Sequence, residues 1–492
     1  MIHDPSHAWT WILPFLLYLI GMIVIGWFFY FRTRNLSDYV LGGRRLNSWV
    51  TSLSAQASDM SGWLLLGLPG YAYLAGVEAV WIASGLVIGT YLNWKFVAPR
   101  LRQQTEAAGD AMTLPDFFSK RFGTRSPSLR VLSALFILIF FLIYTASGFV
   151  AGAKLFSSVF GLSYFTALCI GVLVIISYIF LGGFLAVCWT DFIQGSIMFV
   201  AITAVPFLIL RETGGLQVTL NKVGQVNPNL LCMMTDRQGA PLSFVSIVSL
   251  TAWGLGYFGQ PHILARFMAI RHVREISRAR VIAMVWVMAC LSGAVLTGLL
   301  ANAYFAHPLQ SGKEETVFLE LIQSGLVPAL AAGFLLAAVL AAIMSTADSQ
   351  LLVASSTLTE DLYRTFIRKT AGQKELVWIS RAAVIAIAVI AFFIAMNPEA
   401  SVLDLVAYAW AGFGAAFGPL ILMSLFWKGL SETGALAGIV TGGLTVLIWK
   451  QLHGGLFDLY EIVPGFLLSA GMIVLFSRVN FSELKIGSRK AS

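Results

Sequence analysis

Thr51-Ser-Leu-Ser-Ala-Gln-Ala-Ser-Asp-Met-Ser-Gly-Trp63, followed by Gly67-Leu-Pro69-Gly70, is a polar, glycine-marked passage inside a long apolar segment. It holds one carboxylate, one amide and five hydroxyls. Its setting gives it meaning. The 492 residues are 58% hydrophobic and only 11% charged, against about 25% charged in an ordinary soluble domain. There is too little polar surface to cover a water-facing globule of this size, so lipid is the solvent for much of the chain. In lipid only helices or closed barrels satisfy the backbone, and apolar runs of about 20 residues predict helices. A helix built only to sit in lipid would not carry Asp59 and its hydroxyl neighbours. The passage therefore predicts a span whose winding breaks at mid-depth.

Working outward, apolar runs predict about thirteen spans, near 9–30, 47–70, 77–97, 129–157, 163–183, 190–210, 243–266, 280–306, 326–357, 379–396, 403–427, 432–450 and 458–477. The Gly182-Gly183 pair marks the turn between the fifth and sixth. With the N-terminus outside, all the lysines and arginines fall on inner segments except Lys154, Arg211, Lys222, Arg237, Lys313 and Lys450. Basic residues concentrate on the cytoplasmic side, so the chain is expected to be N-out and C-in with an odd number of spans. The first run lacks a basic leader and a cleavage site and is read as a retained span. The polar stretches near 98–128 and 211–242 are loop-sized, and the tail after Asn480 is expected to be disordered. The net charge of +8 belongs to these loops and does not indicate nucleic acid. The four scattered cysteines have neither metal nor disulfide spacing.

A second interrupted segment, Trp253-Gly-Leu-Gly-Tyr257-Phe-Gly-Gln-Pro261-His262, follows about 195 residues after the first. Paired Gly/Pro-broken spans at matching places in two halves point to a transporter binding site. Broken winding frees carbonyls for a cation, while the N–H groups of the next half-helix can meet an anionic group. The two breaks would open repeats of five spans each, spans two to six and seven to eleven, and the odd number forces opposite orientations. Trp253 and Tyr257, four apart, share a helix face and could wall a small apolar solute, or simply pack. A third cluster, Ala341-Ala342-Ile343-Met344-Ser345-Thr346-Ala347-Asp348-Ser349-Gln350, places adjacent hydroxyls at mid-membrane. Na⁺ is a hard cation and takes oxygen ligands, which this cluster offers. Back-bonding of Ser and Thr to their own helix is the plain alternative, as a helix-to-helix hydrogen bond is for Asp59.

Other polar residues are read more simply. Tyr144 either faces a cavity or packs. Asp191 is expected to begin span six as a cap or gate. Arg44 and Arg45 are topology anchors, with Arg44 also a candidate for the inward ion path. His262 is read as structural.

At these residues the chain resembles the sodium:solute symporter family, over nearly its whole length. The resemblance rests on Asp38-Tyr-Val-Leu-Gly-Gly-Arg-Arg45, Leu53-Ser-Ala-Gln-Ala-Ser-Asp-Met-Ser-Gly-Trp63, Gly256-Tyr-Phe-Gly-Gln-Pro-His262 and Met344-Ser-Thr-Ala-Asp-Ser-Gln-Leu-Leu352. The second stretch looks specific to the branch that carries proline. The resemblance implies an all-α membrane protein with a LeuT-type core of five plus five inverted helices, one helix before it and two after. The corresponding parts are 1–45, 46–211, 243–427 and 428–492. It implies Na⁺-coupled uptake of L-proline across the inner membrane, with no cofactor beyond the coupling ion and no obligate protein partner. One Na⁺ would be held by carbonyls of Ala57, Met60 and Ala342 and hydroxyls of Ser345 and Thr346. Asp59 would be the acidic residue needed for Na⁺ coupling, and Arg44 would modulate it from inside. Ser61, Gly62, Trp63, Tyr144, Trp253, Tyr257 and Pro261 would form the proline pocket. Asp348 fits the family signature but is not assigned as a ligand.

Other classes fare worse. Another solute in the same fold, such as pantothenate, a sugar or a monocarboxylate, stays open, although a sugar site would want more amides and carboxylates. A channel would predict rings of charge around an oligomeric pore. An enzyme would need a metal set, a nucleophile–base pair or a phosphate loop, and the sequence displays none.

Overall fold

A computed structural model of the chain describes residues 5–30, 36–123, 127–179 and 183–478. Among them there are no strands, only two isolated bridges. Helices α1 (Pro5–Tyr30), α2 (Ser48–Asp59), α3 (Leu68–Ala75), α4 (Val80–Leu92), α5 (Ser128–Phe160), α6 (Tyr164–Ile179) and α7 (Phe184–Thr213) make the first part. Then come α8 (Phe244–Thr251), α9 (Pro261–Ala269), α10 (Ile276–Tyr304), α11 (Ala329–Thr357), α12 (Gln373–Ile394) and α13 (Val402–Phe426), and finally α14 (Glu432–Trp449) and α15 (Ile462–Arg478). Every stretch expected to span carries helix. Among the described residues nine helical stretches are long and apolar enough to cross a bilayer, with shorter apolar helices at Tyr164–Ser177, Phe244–Gly259 and Ile462–Arg478. Side chains that point away from the core stay bare, such as Leu173 at 69% exposure and Phe207 at 72%. Such bare leucines and phenylalanines suit contact with lipid tails.

Both expected breaks are present. Helix α2 starts on Asn47, whose side chain accepts the Val50 N–H at 3.0 Å. It stops at Asp59, because Met60 turns to ψ 78 and the ladder ends. Ser61 and Gly62, both poor helix formers, lie in the gap before a π-type turn, Trp63–Gly67, leads into α3. At Gly76, φ 66 lets the chain reverse into α4. The second break runs from α8 through a 3-10 stretch, Ala252–Gly259, to an extended Gln260 and then α9. Pro261 drives the preceding residue out of the helical region and starts the new helix at a position where no N–H is needed. The 3-10 backbone lies directly against α4. A Cβ on Gly89 would sit 2.2 Å from the Gly254 oxygen, and one on Gly254 would sit 2.2 Å from the Gly85 oxygen. Close backbone approach of this kind requires small residues at membrane helix contacts.

Helix α11 runs through the middle of the molecule, against α1, α2, α5 and α7. From Leu335 to Gln350 it is buried throughout, polar residues included. Two sequence expectations change here. Helix α7 begins at Phe184 rather than near 190, so Asp191 lies two turns inside the helix and is neither its start nor its cap. Arg266, counted with an inner loop, lies within α9 and is fully buried. Each reading failed for one reason: the two charges pair with each other, which lets both enter helices that a lone charge would have ended. The polar stretches near 98–128 and 211–242 contain helices of their own, Leu114–Phe122 and Leu216–Val226 among them. Gly182, Arg32, Arg34, Arg125 and the tail after Asn480 lie outside the described residues.

Candidate functional site

The hydroxyl pair of α11 meets the end of α2. The Ser345 hydroxyl donates to the Ala57 carbonyl at 2.8 Å and to the Ala342 carbonyl at 3.1 Å. The Thr346 hydroxyl reaches the same Ala57 oxygen at 3.3 Å. Four of the five residues expected around Na⁺ thus touch one another across two helices, all nearly or wholly buried. The fifth, Met60, is the residue at which α2 loses its winding. These are hard neutral oxygens on two separate helices, the donor set that suits an alkali cation. Both hydroxyls reach across to another helix, so the purely local back-bonding alternative does not describe them.

Asp59 stands at the same break, fully buried. One carboxylate oxygen accepts the Tyr257 hydroxyl at 2.6 Å; the other, Oδ1, has no hydrogen-bond partner among the described residues. A buried polar atom left without a partner is uncommon and calls for an explanation. The carboxylate therefore links the first broken segment to the second and offers a free oxygen to a positively charged guest. Its backbone carbonyl, freed by the break, accepts the Trp63 indole N–H at 3.1 Å and the Tyr144 hydroxyl at 3.2 Å. Tyr144 thus faces the site. Trp63 and Trp253 approach with ring centroids 6.2 Å apart. Ser61 lies in the gap, its hydroxyl accepting the Trp63 N–H at 3.3 Å.

Gly62, Pro261 and Arg44 each carry structural contacts as well. Gly62 is packed against α5 and α11: a Cβ there would lie 2.9 Å from that of Ala151 and 3.1 Å from Ile343. Pro261 begins α9 and lines a small cavity with Val40, Met112 and Ala265. Arg44 takes a positive φ of 55 and anchors backbone. It donates to the carbonyls of Met268 at 2.6 Å and Ala111 at 3.1 Å and pairs with Asp110 at 3.4 Å. None of these partners belongs to the hydroxyl–carbonyl junction.

Several residues that sequence reasoning passed over complete the site. Carbonyls of the 3-10 stretch are taken by side chains, two from other helices and one from Gln260 at the end of the stretch itself. Trp410 donates to the Trp253 oxygen at 2.7 Å, Asn93 to the Tyr257 oxygen at 2.9 Å and Gln260 to the Gly256 oxygen at 3.1 Å. Trp410 also meets the Tyr257 ring edge-on at 5.0 Å, and Tyr460 stacks on Trp253 at 5.7 Å. Asn93 and Gln260 were legible as amides in apolar runs; Trp410 and Tyr460 gave no signal among so many aromatics. Beneath this layer Arg266 donates to Asp191 at 3.1 Å, to Ser54 at 3.1 Å, to the His262 carbonyl at 2.9 Å, and to Ser349. Ser54 in turn donates to Asp191 at 2.6 Å. One ion pair thus ties α2, α7, α9 and α11.

The sodium:solute symporter family matches residues 39–442. The chain is 52% identical over 471 residues to the sodium/proline symporter of Escherichia coli (strain K12), covering 95% of this chain and 92% of that protein. It is 50% identical over 464 residues to the osmoregulated proline transporter OpuE of Bacillus subtilis (strain 168), covering 93% of each. Among solved structures, the substrate-bound outward-open state of a Na⁺-coupled sialic acid symporter matches with a TM-score of 0.77 at 18% identity, over 96% of this chain and 98% of that one. At that identity the likeness speaks to the fold alone, which is LeuT-like. By the extent of these matches, the chain belongs to the sodium:solute symporter family.

Proposed function

We propose that this chain is a secondary active transporter that takes up L-proline together with Na⁺ by alternating access. The observation that carries the reading is the junction at Ala57, where α11 hydroxyls cross to the broken end of α2 beside a carboxylate bonded to the second break. The close relatives that carry proline support the solute.

In this reading the carbonyls of Ala57, Met60 and Ala342 and the hydroxyls of Ser345 and Thr346 hold the ion. Asp59 supplies the compensating charge and passes the effect to Tyr257. Ser61, Gly62, Trp63, Tyr144, Trp253, Tyr257 and Pro261 bound the solute. Arg44 acts from the inner side by holding the end of α9. Na⁺ enters from outside and draws α2 and α11 together, which orders the second break and raises solute affinity; the coupling is reciprocal. Release of Na⁺ inside reverses it. One charge crossing about 100 mV supplies about 2.3 kcal/mol, and a zwitterionic solute leaves that charge uncompensated.

The chain is read as thirteen helices in the cytoplasmic membrane, N-terminus outside and C-terminus inside. One helix with its inner loop (1–45) precedes two inverted repeats (46–211 and 243–427), and two further helices with a tail (428–492) follow. The bilayer, Na⁺ and proline are its partners.

The test is uptake of radiolabelled L-proline into proteoliposomes under an inward Na⁺ gradient against a matched K⁺ gradient. Na⁺-driven accumulation is expected. No proline uptake in a preparation active on another solute overturns the substrate, and uptake indifferent to Na⁺ overturns the coupling.

A further inference from the structure

A cleft of about 810 Å3 opens where the chain enters α2, α7 and α10 at one end of the molecule. Arg271, Arg274 and Arg278 line it together with Trp49 and Trp189. Glu275 is the one acid in the cleft. It is already committed, accepting the Ser48 N–H and hydroxyl at 3.0 Å each and pairing with Arg271. Arg274 and Arg278 are exposed and form no ion pair among the described residues. The cleft therefore keeps two uncommitted guanidinium groups, which match phosphate in shape and charge.

The surroundings decide which phosphate. Along α10, Arg278 is followed by Val281, Val285 and Met288, spaced to lie on one helix face and all exposed, at 60%, 56% and 47%. Along α7, Trp189 leads to exposed Val200 and Phe207. Two exposed, largely apolar helix faces thus run away from the basic cleft, and Trp49 and Trp189, both exposed beside it, are of the residue type that membrane interfaces favour. A soluble phosphate ester would use the arginines and leave these faces unexplained. By the charge pattern this end faces the cytoplasm.

The geometry points to a binding site for an anionic phospholipid of the inner leaflet, with its phosphate on Arg274 and Arg278 and its acyl chains along these faces of α10 and α7. This is independent of which solute the protein carries. Basic pockets between helices on the cytoplasmic side are suited to such headgroups.

The test is native mass spectrometry of the purified full-length protein titrated with phosphatidylglycerol and, separately, phosphatidylethanolamine of the same chains. The wild type is expected to prefer phosphatidylglycerol. The R274Q/R278Q variant is expected to lose about 25-fold in phosphatidylglycerol affinity, about five-fold per arginine, with phosphatidylethanolamine unchanged. Equal affinity for both lipids, or an unaltered preference in the variant, overturns the site. Displacement of the lipid by an equal concentration of glycerol 1-phosphate assigns the arginines to a soluble phosphate ester instead and also overturns it. Should the variant not fold, quenching of wild-type fluorescence by phosphatidylglycerol with brominated chains places the lipid. Less quenching in Trp189→Phe supports the site, and equal quenching rejects it.

Discussion

Replacing Ser345 with alanine tests the junction at Ala57 directly. The Ser345 hydroxyl is fully buried and lies 2.8 Å from the Ala57 oxygen of the other helix. If that oxygen serves the ion, the mutation removes one neutral ligand from a buried cation. An interaction of a polar group with a charge is worth about 1.5–3 kcal/mol, so the Na⁺ concentration for half-maximal uptake should rise about 10- to 150-fold. Thr346→Ala should act likewise but less, since its hydroxyl stands at 3.3 Å. Because ion and solute are linked, proline affinity at low Na⁺ should fall in both variants and recover when Na⁺ is raised. The control is Ser356→Ala on the same helix. That hydroxyl is also buried but bonds its own helix, to the Leu352 carbonyl at 2.7 Å, so its Na⁺ dependence should match wild type. The assay is initial-rate proline uptake in proteoliposomes over a range of Na⁺ at constant ionic strength. An unchanged Na⁺ half-saturation in the Ser345→Ala/Thr346→Ala double variant, with only the maximal rate reduced, would refute the assignment: the hydroxyls would then be structural pins.

Tyr257→Phe removes the one hydrogen bond to the Asp59 carboxylate at 2.6 Å. A Na⁺ requirement raised roughly ten-fold or more is expected from losing a charge-assisted bond, and an unaltered Na⁺ titration would disconnect the two breaks. Arg266→Leu strands Asp191 in a site where both side chains are fully buried. The expected loss is about 3–5 kcal/mol, largely recovered in Arg266→Leu/Asp191→Leu; thermal inactivation half-lives of the two variants in detergent decide, and equal half-lives would count against the pair. Gly256→Ala would set a Cβ 1.9 Å from the Trp410 indole nitrogen. Such overpacking costs about 1–3 kcal/mol and dislodges the Trp410 bond to Trp253, so uptake should collapse while membrane insertion persists. Glu315 accepts from Lys154 at 2.5 Å and from the Val402 and Leu403 N–H groups at 3.0 Å each. Burial alone would raise its pKa, but Lys154 and these amides outweigh burial and hold it below the ordinary 4.5. A carboxylate depressed on folding stabilises fully above its unfolded value, and that share is lost as the pH falls through the folded value. The melting-temperature penalty of Glu315→Gln should therefore be full at pH 7 and shrink only below pH 4.5; a penalty constant across that window would remove Glu315 from the account.

The solvent, the helical class, the place of both breaks and the three polar clusters are all legible along the chain. Each of these is a local property. Apolar runs of bilayer length are legible one at a time, Ser61-Gly62 and Gln260-Pro261 weaken a helix wherever they stand, and hydroxyls in an apolar run announce themselves. The family signature added residue roles, and the fold brought most of those residues together: Ala57, Ala342, Ser345 and Thr346 at one junction, and Asp59, Trp63, Tyr144 and Tyr257 around the first break.

Which polar groups face one another depends on how the helices pack. Asp191 and Arg266 are 75 residues apart, and each alone reads as a helix boundary. Their pairing cancels the cost of a buried charge and carries both into the interior. Trp410, Asn93 and Gln260 became part of the site because the 3-10 stretch leaves carbonyls that must be bonded. That demand arises from backbone geometry; the amides of Asn93 and Gln260 hint at it in residue type, and Trp410 does not. Gly62 and Pro261 also carry packing duties that residue type does not announce: Gly62 packs between two helices and Pro261 sets a helix start. Propensity is written residue by residue along the chain, whereas satisfaction of buried polar groups is a property of neighbours in space, and sequence distance carries almost no information about it.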